Sequence, residues 1–316
     1  MKKLCSILAV LFQSTYLLAN HKIDLMANFE IEQYFVPEQL IARAGYELRV
    51  LPNDIQKYLI SFYDPTNTKK IIIMGQLIPE RELVKFPKEK LIFFLWEPEK
   101  LPLSYYDRFS QVYTWDDELV DNVKFFKLYY PNMVSMLDQI PPFEEKKFCT
   151  MIVRNWTRER RNILKSFAKF NAPDFDVYGA PSKTSYDRKL YRGTIPGNPN
   201  SDEKISTLKN YRFCICFENS YNLAGYISEK IFSCFTAGCV PIYYGAPNIE
   251  KYVPKNCYID YREFSSDRQL YSFLQTMTKE MYEKYLQNIR IFLDSDQARL
   301  FTRSSLDKCL YETAIR

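Results

Sequence analysis

With 316 residues, 47% of them apolar, and a formal net charge of only +5 from 43 basic and 38 acidic side chains, the chain can fill one large or two ordinary cores. It carries no block of basic residues of the kind that marks a nucleic-acid-binding arm. A single histidine, His21, excludes His-based metal centres, His general bases and Ser-His-Asp triads, so chemistry must come from carboxylates, Arg, Lys, Tyr or Cys.

Residues 1–20, with Lys2-Lys3 ahead of an apolar run from Leu4 to Leu18, read as a signal peptide or N-terminal membrane anchor, because about fifteen residues fall short of the roughly twenty that span a bilayer. Residues 21–146 are expected to form a first Rossmann-like domain. Its strands are Tyr46 to Leu51, Lys70 to Met74, Leu91 to Trp96 and Gln111 to Trp115, interleaved with helices and therefore parallel. A charged, proline-containing stretch from Gln139 to Lys147 reads as a linker. Residues 147–316 are expected to form the second domain, opening with strand Phe148 to Val153, which runs into a helical segment from Arg154 to Phe170 and then strand Asp176 to Gly179. The polar loop from Ala180 to Asp202 is a candidate lid, and Arg268 to Arg316 is helical in composition, expected to pack back across the domain junction. The eight cysteines include no C-x-x-C pair and read as small core residues, with a bridge involving Cys149, Cys257 or Cys309 left open. Most of the 25 Tyr and 23 Phe belong in cores, and a remainder is free to stack on sugar rings.

The densest information lies between Phe213 and Phe264. The apolar run Phe213 to Phe217 reads as a strand covered on both faces and ends in the polar elbow Glu218-Asn219-Ser220. A helix follows, with Ile227, Ile231, Cys234 and Phe235 as its buried stripe and Gly238 as its stop, and then the strand Val240 to Tyr244. Ligands of open α/β sheets bind beyond the carboxyl ends of strands, so Glu218 to Lys230 should face one. Glu97, just past an apolar strand, suits a general base, with Glu99 as competitor. Arg154, Arg158, Arg160 and Arg161 cluster where a strand passes into a helix, which suggests an anionic partner, although Arg158 and Arg160 read as solvated helix charges. Asp174-Phe175-Asp176 and Asp294-Ser295-Asp296 have metal-binding D-x-D spacing and read as chance occurrences.

Phe217-Glu218-Asn219-Ser220, then Gly225 to Ile231, then Ala237 to Pro247 resemble the fucosyltransferase signature of glycosyltransferase family 10, the α-1,3/4-fucosyltransferases. Gly225 and Ser228 stand where members commonly carry Asp and Thr. The resemblance is specific from Lys204 to Phe264 and extends to Leu91–Pro131. It implies an α/β chain of GT-B architecture, two Rossmann-like domains facing a cleft. It implies an inverting transferase moving L-fucose from GDP-fucose to a GlcNAc or glucose hydroxyl of an oligosaccharide or glycoconjugate acceptor, in α-1,3 or α-1,4 linkage. Glu97 in Trp96-Glu97-Pro98-Glu99 falls at the catalytic glutamate, Arg161 at a donor-phosphate contact, and Glu229 and Lys230 at nucleotide-binding positions, with Asn219 and Tyr226 as supporting donor contacts. Asn219 could instead simply cap the helix. No protein-bound metal or cofactor is implied, though manganese could stimulate through the nucleotide. A different nucleotide sugar, or a silent glycan-binding protein of the same fold, are the alternatives. A nucleotide-sugar enzyme with such a leader is expected in the secretory pathway or on a membrane, on the side where its donor is available.

Overall fold

The computed structural model describes residues 21–27, 46–51, 63–75, 77–172, 174–197 and 201–315, so the reading of residues 1–20 lies outside the described residues. No helix among the described residues is long and apolar enough to cross a membrane. The chain divides into two compact units, residues 1–128 with 303–316, and residues 129–302.

The first unit holds a six-stranded parallel sheet of order β2-β1-β3-β4-β5-β6, comprising β1 (His21–Ala27), β2 (Tyr46–Leu51), β3 (Thr68–Met74), β4 (Leu91–Leu95), β5 (Gln111–Thr114) and β6 (Phe125–Lys127). Ile71–Met74 and Leu91–Leu95 are buried throughout, which is why they read as continuous apolar runs. Beneath β4, Phe93 stacks on Phe109 at 5.0 Å and meets Tyr105 edge-on at 5.7 Å.

The second unit holds a five-stranded parallel sheet of order β11-β10-β9-β7-β8, comprising β7 (Lys147–Val153), β8 (Phe175–Gly179), β9 (Tyr211–Phe217), β10 (Val240–Tyr244) and β11 (Ile259–Asp260). Its longer helices are α1 (Arg158–Lys169), α2 (Asp202–Leu208), α3 (Glu229–Thr236), α4 (Asp267–Gln275) and α5 (Lys279–Leu293). Each starts on a hydroxyl cap, Thr157, Ser201, Ser228, Ser266 and Thr278 in turn. Gly238 ends α3 at φ +59°, and a Cβ there would lie 2.6 Å from Ile140 Cδ1, so glycine makes the turn into β10 without strain or displacement of Ile140. Cys149, Cys214, Cys216, Cys234, Cys239 and Cys257 are buried thiols, so the bridge left open for Cys149 or Cys257 is not formed.

Several boundaries differ from the sequence reading. The expected linker belongs to the second unit, because Leu137 N–H donates to Thr236 O at 2.9 Å and Ile140 and Phe143 pack against that unit's core. Conversely the last helix, α6 (Arg303–Ile315), joins the first unit, with Leu306 and Leu310 in its core and Thr313 Oγ1 donating to Tyr113 Oη at 2.6 Å. The lid candidate is partly tied down: Tyr191 bridges Val177, Arg192 N–H donates to Val177 O, and the Arg192 guanidinium pairs with Asp176 at 2.6 Å.

Candidate active site

In the second unit, β7 leads to β8 on one side and has β9 on the other, so the crossovers diverge between β7 and β9. The carboxyl ends of two such strands frame the crevice where open α/β sheets take their ligands. The segments leaving them are Arg154–Thr157, which opens α1, and Glu218–Ser228, which opens α3.

Glu218 organises this end. Only 3% exposed, its carboxylate accepts from the Ser228 backbone N–H at 2.9 Å, from Ser228 Oγ at 2.7 Å and from Lys230 Nζ at 3.1 Å. A buried carboxylate needs this complement of donors, and the Lys230 ammonium in turn needs the carboxylate. The room for it comes from Gly245, where a Cβ would lie 2.6 Å from Glu218 Cγ and 2.3 Å from Tyr243 Oη. Glu229 lies 3.9 Å from Lys230 Nζ and 3.5 Å from Lys204 Nζ on α2. Burial alone would raise its pKa, but the two lysines outweigh it and bring the carboxyl down to about 2. For Lys230 burial opposes the charge, and Glu218 and Glu229 reverse the balance and raise its pKa.

The arginine delivered here is Arg160, which overturns its reading as a solvated helix charge. It is 3% exposed. Its guanidinium donates to Asn155 O at 2.5 Å, to Asn219 Oδ1 at 3.1 Å and to Phe217 O, locking the end of β9 to the start of α1. Arg161 turns elsewhere, donating to Ser182 O at 3.1 Å and lying over the Trp156 ring at 5.6 Å. Helical spacing carries the signal for this difference: Arg160, Ile163, Leu164 and Phe167, at i, i+3, i+4 and i+7, are the buried stripe of α1. The structure thus brings Asn219, Glu229 and Lys230 together with Arg160, read from sequence as a solvated charge, with Glu218, read as part of the ligand-facing elbow, and with Lys204, for which the sequence suggests no role. Tyr226 is buried nearby in the elbow, its ring edge-on to Tyr130 at 5.7 Å.

In the first unit, Glu97 sits exposed two residues beyond β4, its carbonyl accepting from Trp115 Nε1 at 3.0 Å and from Glu99 N–H at 2.8 Å. Glu97 and Glu99 both line a hollow of about 230 Å³ with Gly75, Leu77 and Trp96. Asp176, the inner member of the first D-x-D pair, is buried and committed to Lys147 at 2.8 Å, Arg192 at 2.6 Å and Tyr211 Oη at 2.6 Å. In the second pair, Ser295 caps a helical turn and Asp296 pairs with Arg299 at 2.7 Å. Among the described residues no group of three or more His, Cys, Asp or Glu is placed to hold a metal ion.

The sequence profile of Glycosyltransferase family 10 (fucosyltransferase) C-term matches residues 143–302, half of the chain and nearly all of the second unit. The chain belongs to this family. It is 30% identical over 145 residues to Alpha-(1,3)-fucosyltransferase 4 of Bos taurus, covering 44% of this chain and 33% of that protein. It is 29% identical over 148 residues to 4-galactosyl-N-acetylglucosaminide 3-alpha-L-fucosyltransferase 9 of Mus musculus, covering 46% and 37%. The matched region thus spans about a third of each relative's length. The fold is similar to that of an α1,3-fucosyltransferase solved with GDP-fucose, at TM-score 0.55 and 16% identity over 87% of this chain and 92% of that one. The family 10 chain therefore has the two-sheet α/β architecture of GT-B glycosyltransferases, as its signature implied.

Proposed function

We propose that this family 10 chain is an inverting fucosyltransferase that takes L-fucose from GDP-fucose and places it on a hydroxyl of a glycan, with 4-galactosyl-N-acetylglucosaminides as the acceptor class to try first. The observation that carries the reading is the charge balance at the β7–β9 crevice. Arg160, Lys204 and Lys230 face Glu218 and Glu229, so three cations stand against two carboxylates and a positive charge is left for an anionic ligand. A nucleoside diphosphate answers it: its ribose hydroxyls donate to the ionised Glu229, and its phosphates meet Lys230 and Arg160.

On this reading the acceptor hydroxyl attacks the anomeric carbon from the face opposite GDP, forming the new C–O bond as the bond to the β-phosphate oxygen breaks. Glu97 takes the hydroxyl proton, help worth roughly 10² to 10⁴ in rate. Lys230 and Arg160 stabilise the charge that develops on departing GDP. Asn219, held by Arg160, and Tyr226 shape the donor side, and Arg161 remains a peripheral phosphate contact. No resident metal is needed where cations carry the diphosphate, and added manganese acts through the nucleotide. Residues 1–20 would hold the chain to a membrane or direct it into the secretory pathway, on the side where GDP-fucose is supplied.

Titration of residues 21–316 with GDP-fucose, GDP-mannose and UDP-galactose tests the donor. Selective binding of GDP-fucose is expected, whereas preference for another nucleotide sugar would replace the reaction. Glu97→Gln should bind GDP-fucose like the wild type and lose nearly all transfer; unchanged transfer would remove Glu97 from the base role. Activity should also survive EDTA.

A further inference from the structure

Beyond the charged cluster, the same carboxyl edge carries an exposed aromatic stack. Tyr221 lies over Tyr244 with ring centroids 5.0 Å apart and planes 15° from parallel, and Tyr221 is 38% exposed. Tyr244 cannot easily move, because Phe217 and Tyr261 each hold it edge-on at 5.3 Å and Tyr261 Oη is anchored on Asp267 at 2.6 Å. Tyr244 is therefore a fixed base on which Tyr221 presents an outward face.

A carboxylate accompanies it. Glu159, in the first turn of α1 and flanked in sequence by Arg154, Arg158, Arg160 and Arg161, is half-buried, yet among the described residues its carboxylate has no hydrogen-bond or ion-pair partner. Burial first, and then the charges of Tyr221 and Glu159, raise the pKa of Tyr244, which places Glu159 within electrostatic reach of the stack.

We propose that the outer face of Tyr221, backed by Tyr244, is a shelf for a pyranose ring, with Glu159 accepting hydrogen bonds from that ring's hydroxyls. The apolar C–H face of a pyranose suits the electron-rich face of an aromatic ring, and its hydroxyls suit an acceptor-only carboxylate. Layout assigns the shelf to sugar and not to the nucleotide. Glu229 and Lys230 lie at the helix end of the elbow, Asn219 with Arg160 at the strand end, and Tyr221 two residues past Asn219, while Tyr244 O accepts from Glu218 N–H at 2.8 Å. A donor with its ribose on Glu229 and its diphosphate on Lys230 and Arg160 turns its sugar end toward Tyr221, so the inference rests on the proposed donor site. The ring is either the transferred fucose or a residue of the acceptor.

Calorimetry with GDP and with GDP-fucose, and saturation-transfer NMR with a 4-galactosyl-N-acetylglucosaminide in the presence of GDP, test this on the wild type, Tyr221→Ala, Tyr221→Phe and Glu159→Gln. GDP affinity should stay within about twofold in every variant, and Tyr221→Phe should match the wild type. Tyr221→Ala and Glu159→Gln should each weaken sugar recognition by roughly tenfold. Loss confined to GDP-fucose identifies the donor ring, and loss confined to the disaccharide identifies the acceptor ring. Equal loss for GDP, or no loss for either sugar, overturns the shelf. A wild type that binds no GDP sinks the donor reading first, and the shelf with it.

Discussion

Arg160 and Arg161 are adjacent in the chain and opposite in circumstance. The first spends its guanidinium on two backbone carbonyls and Asn219 from inside the α1 stripe, and the second lies half-exposed over Trp156. Arg160→Lys keeps the charge but loses the planar fork that reaches several acceptors at once. It should lower kcat/KM for GDP-fucose by roughly 10²-fold, while Arg161→Lys changes it by less than about threefold. Equal effects would make Arg161 as important to the phosphates as Arg160; circular dichroism checks that both variants fold. Lys146 makes a second prediction at this scale. It is 3% exposed and donates to Lys209 O at 2.7 Å and Gly238 O at 2.8 Å, no carboxylate among the described residues pairs with it, and burial pushes its pKa down to about 8. Between pH 8 and the ordinary lysine range the unfolded chain binds this proton and the folded one does not, so stability from this group rises with pH. Urea unfolding should show the wild type gaining on Lys146→Met by an amount on the order of 2–3 kcal/mol from pH 8 to pH 10.5. A flat difference would mean that the amine stays charged in the fold.

Among the elements, α3 shows how one cap couples stability to the site. Ser228 Oγ accepts from Lys230 N–H at 3.4 Å as the helix N-cap and also donates to Glu218 at 2.7 Å. Ser228→Ala removes both, and should cost about 1–2 kcal/mol in denaturant unfolding while loosening Lys230. Ser228→Thr should recover most of the loss, since it keeps the hydroxyl. Much of the element map was legible because β3, β4, β9 and β10 are buried on both faces and so are written as apolar runs; Val240–Tyr244 matches to the residue. The strands β1, β6 and β11 went unread. The last two are three and two residues long, and β1 carries Asp24, whose burial is balanced by Arg49 of β2 at 2.6 Å and Thr68 of β3 at 3.1 Å. Partners that far along the chain leave no local pattern. In the site, the elbow is legible as a motif, whereas the burial of Arg160 shows only in its spacing to Ile163, Leu164 and Phe167 and is masked by the basic cluster around it. Thr157 caps α1, and the buried stripe of Ile163, Leu164 and Phe167 turns Arg160 inward with it.

On the scale of the whole molecule, the chain leaves the first unit at Leu128 and returns to it at Arg303, so the first unit is closed by its own C-terminal helix. Leu306 and Leu310 bury into the core of β1, β3 and β4, each worth about 1.5–3 kcal/mol on that face, and Thr313 ties α6 to Tyr113 of β5. Among the described residues, the core of the second unit contains none from α6. Deleting 303–316 should therefore destabilise one unit selectively. Trp96 and Trp115 lie in the first unit and Trp156 in the second, so a Trp156→Phe background reports the first unit alone by fluorescence. In that background the deletion should lower the fluorescence melting temperature by several degrees or abolish the transition, while GDP still binds with wild-type affinity because its proposed contacts all lie between 129 and 302. A deletion that leaves the fluorescence transition in place would show that α6 is dispensable to the first unit. One that abolishes GDP binding as well would show that the two cores unfold together and that the charged cluster depends on both.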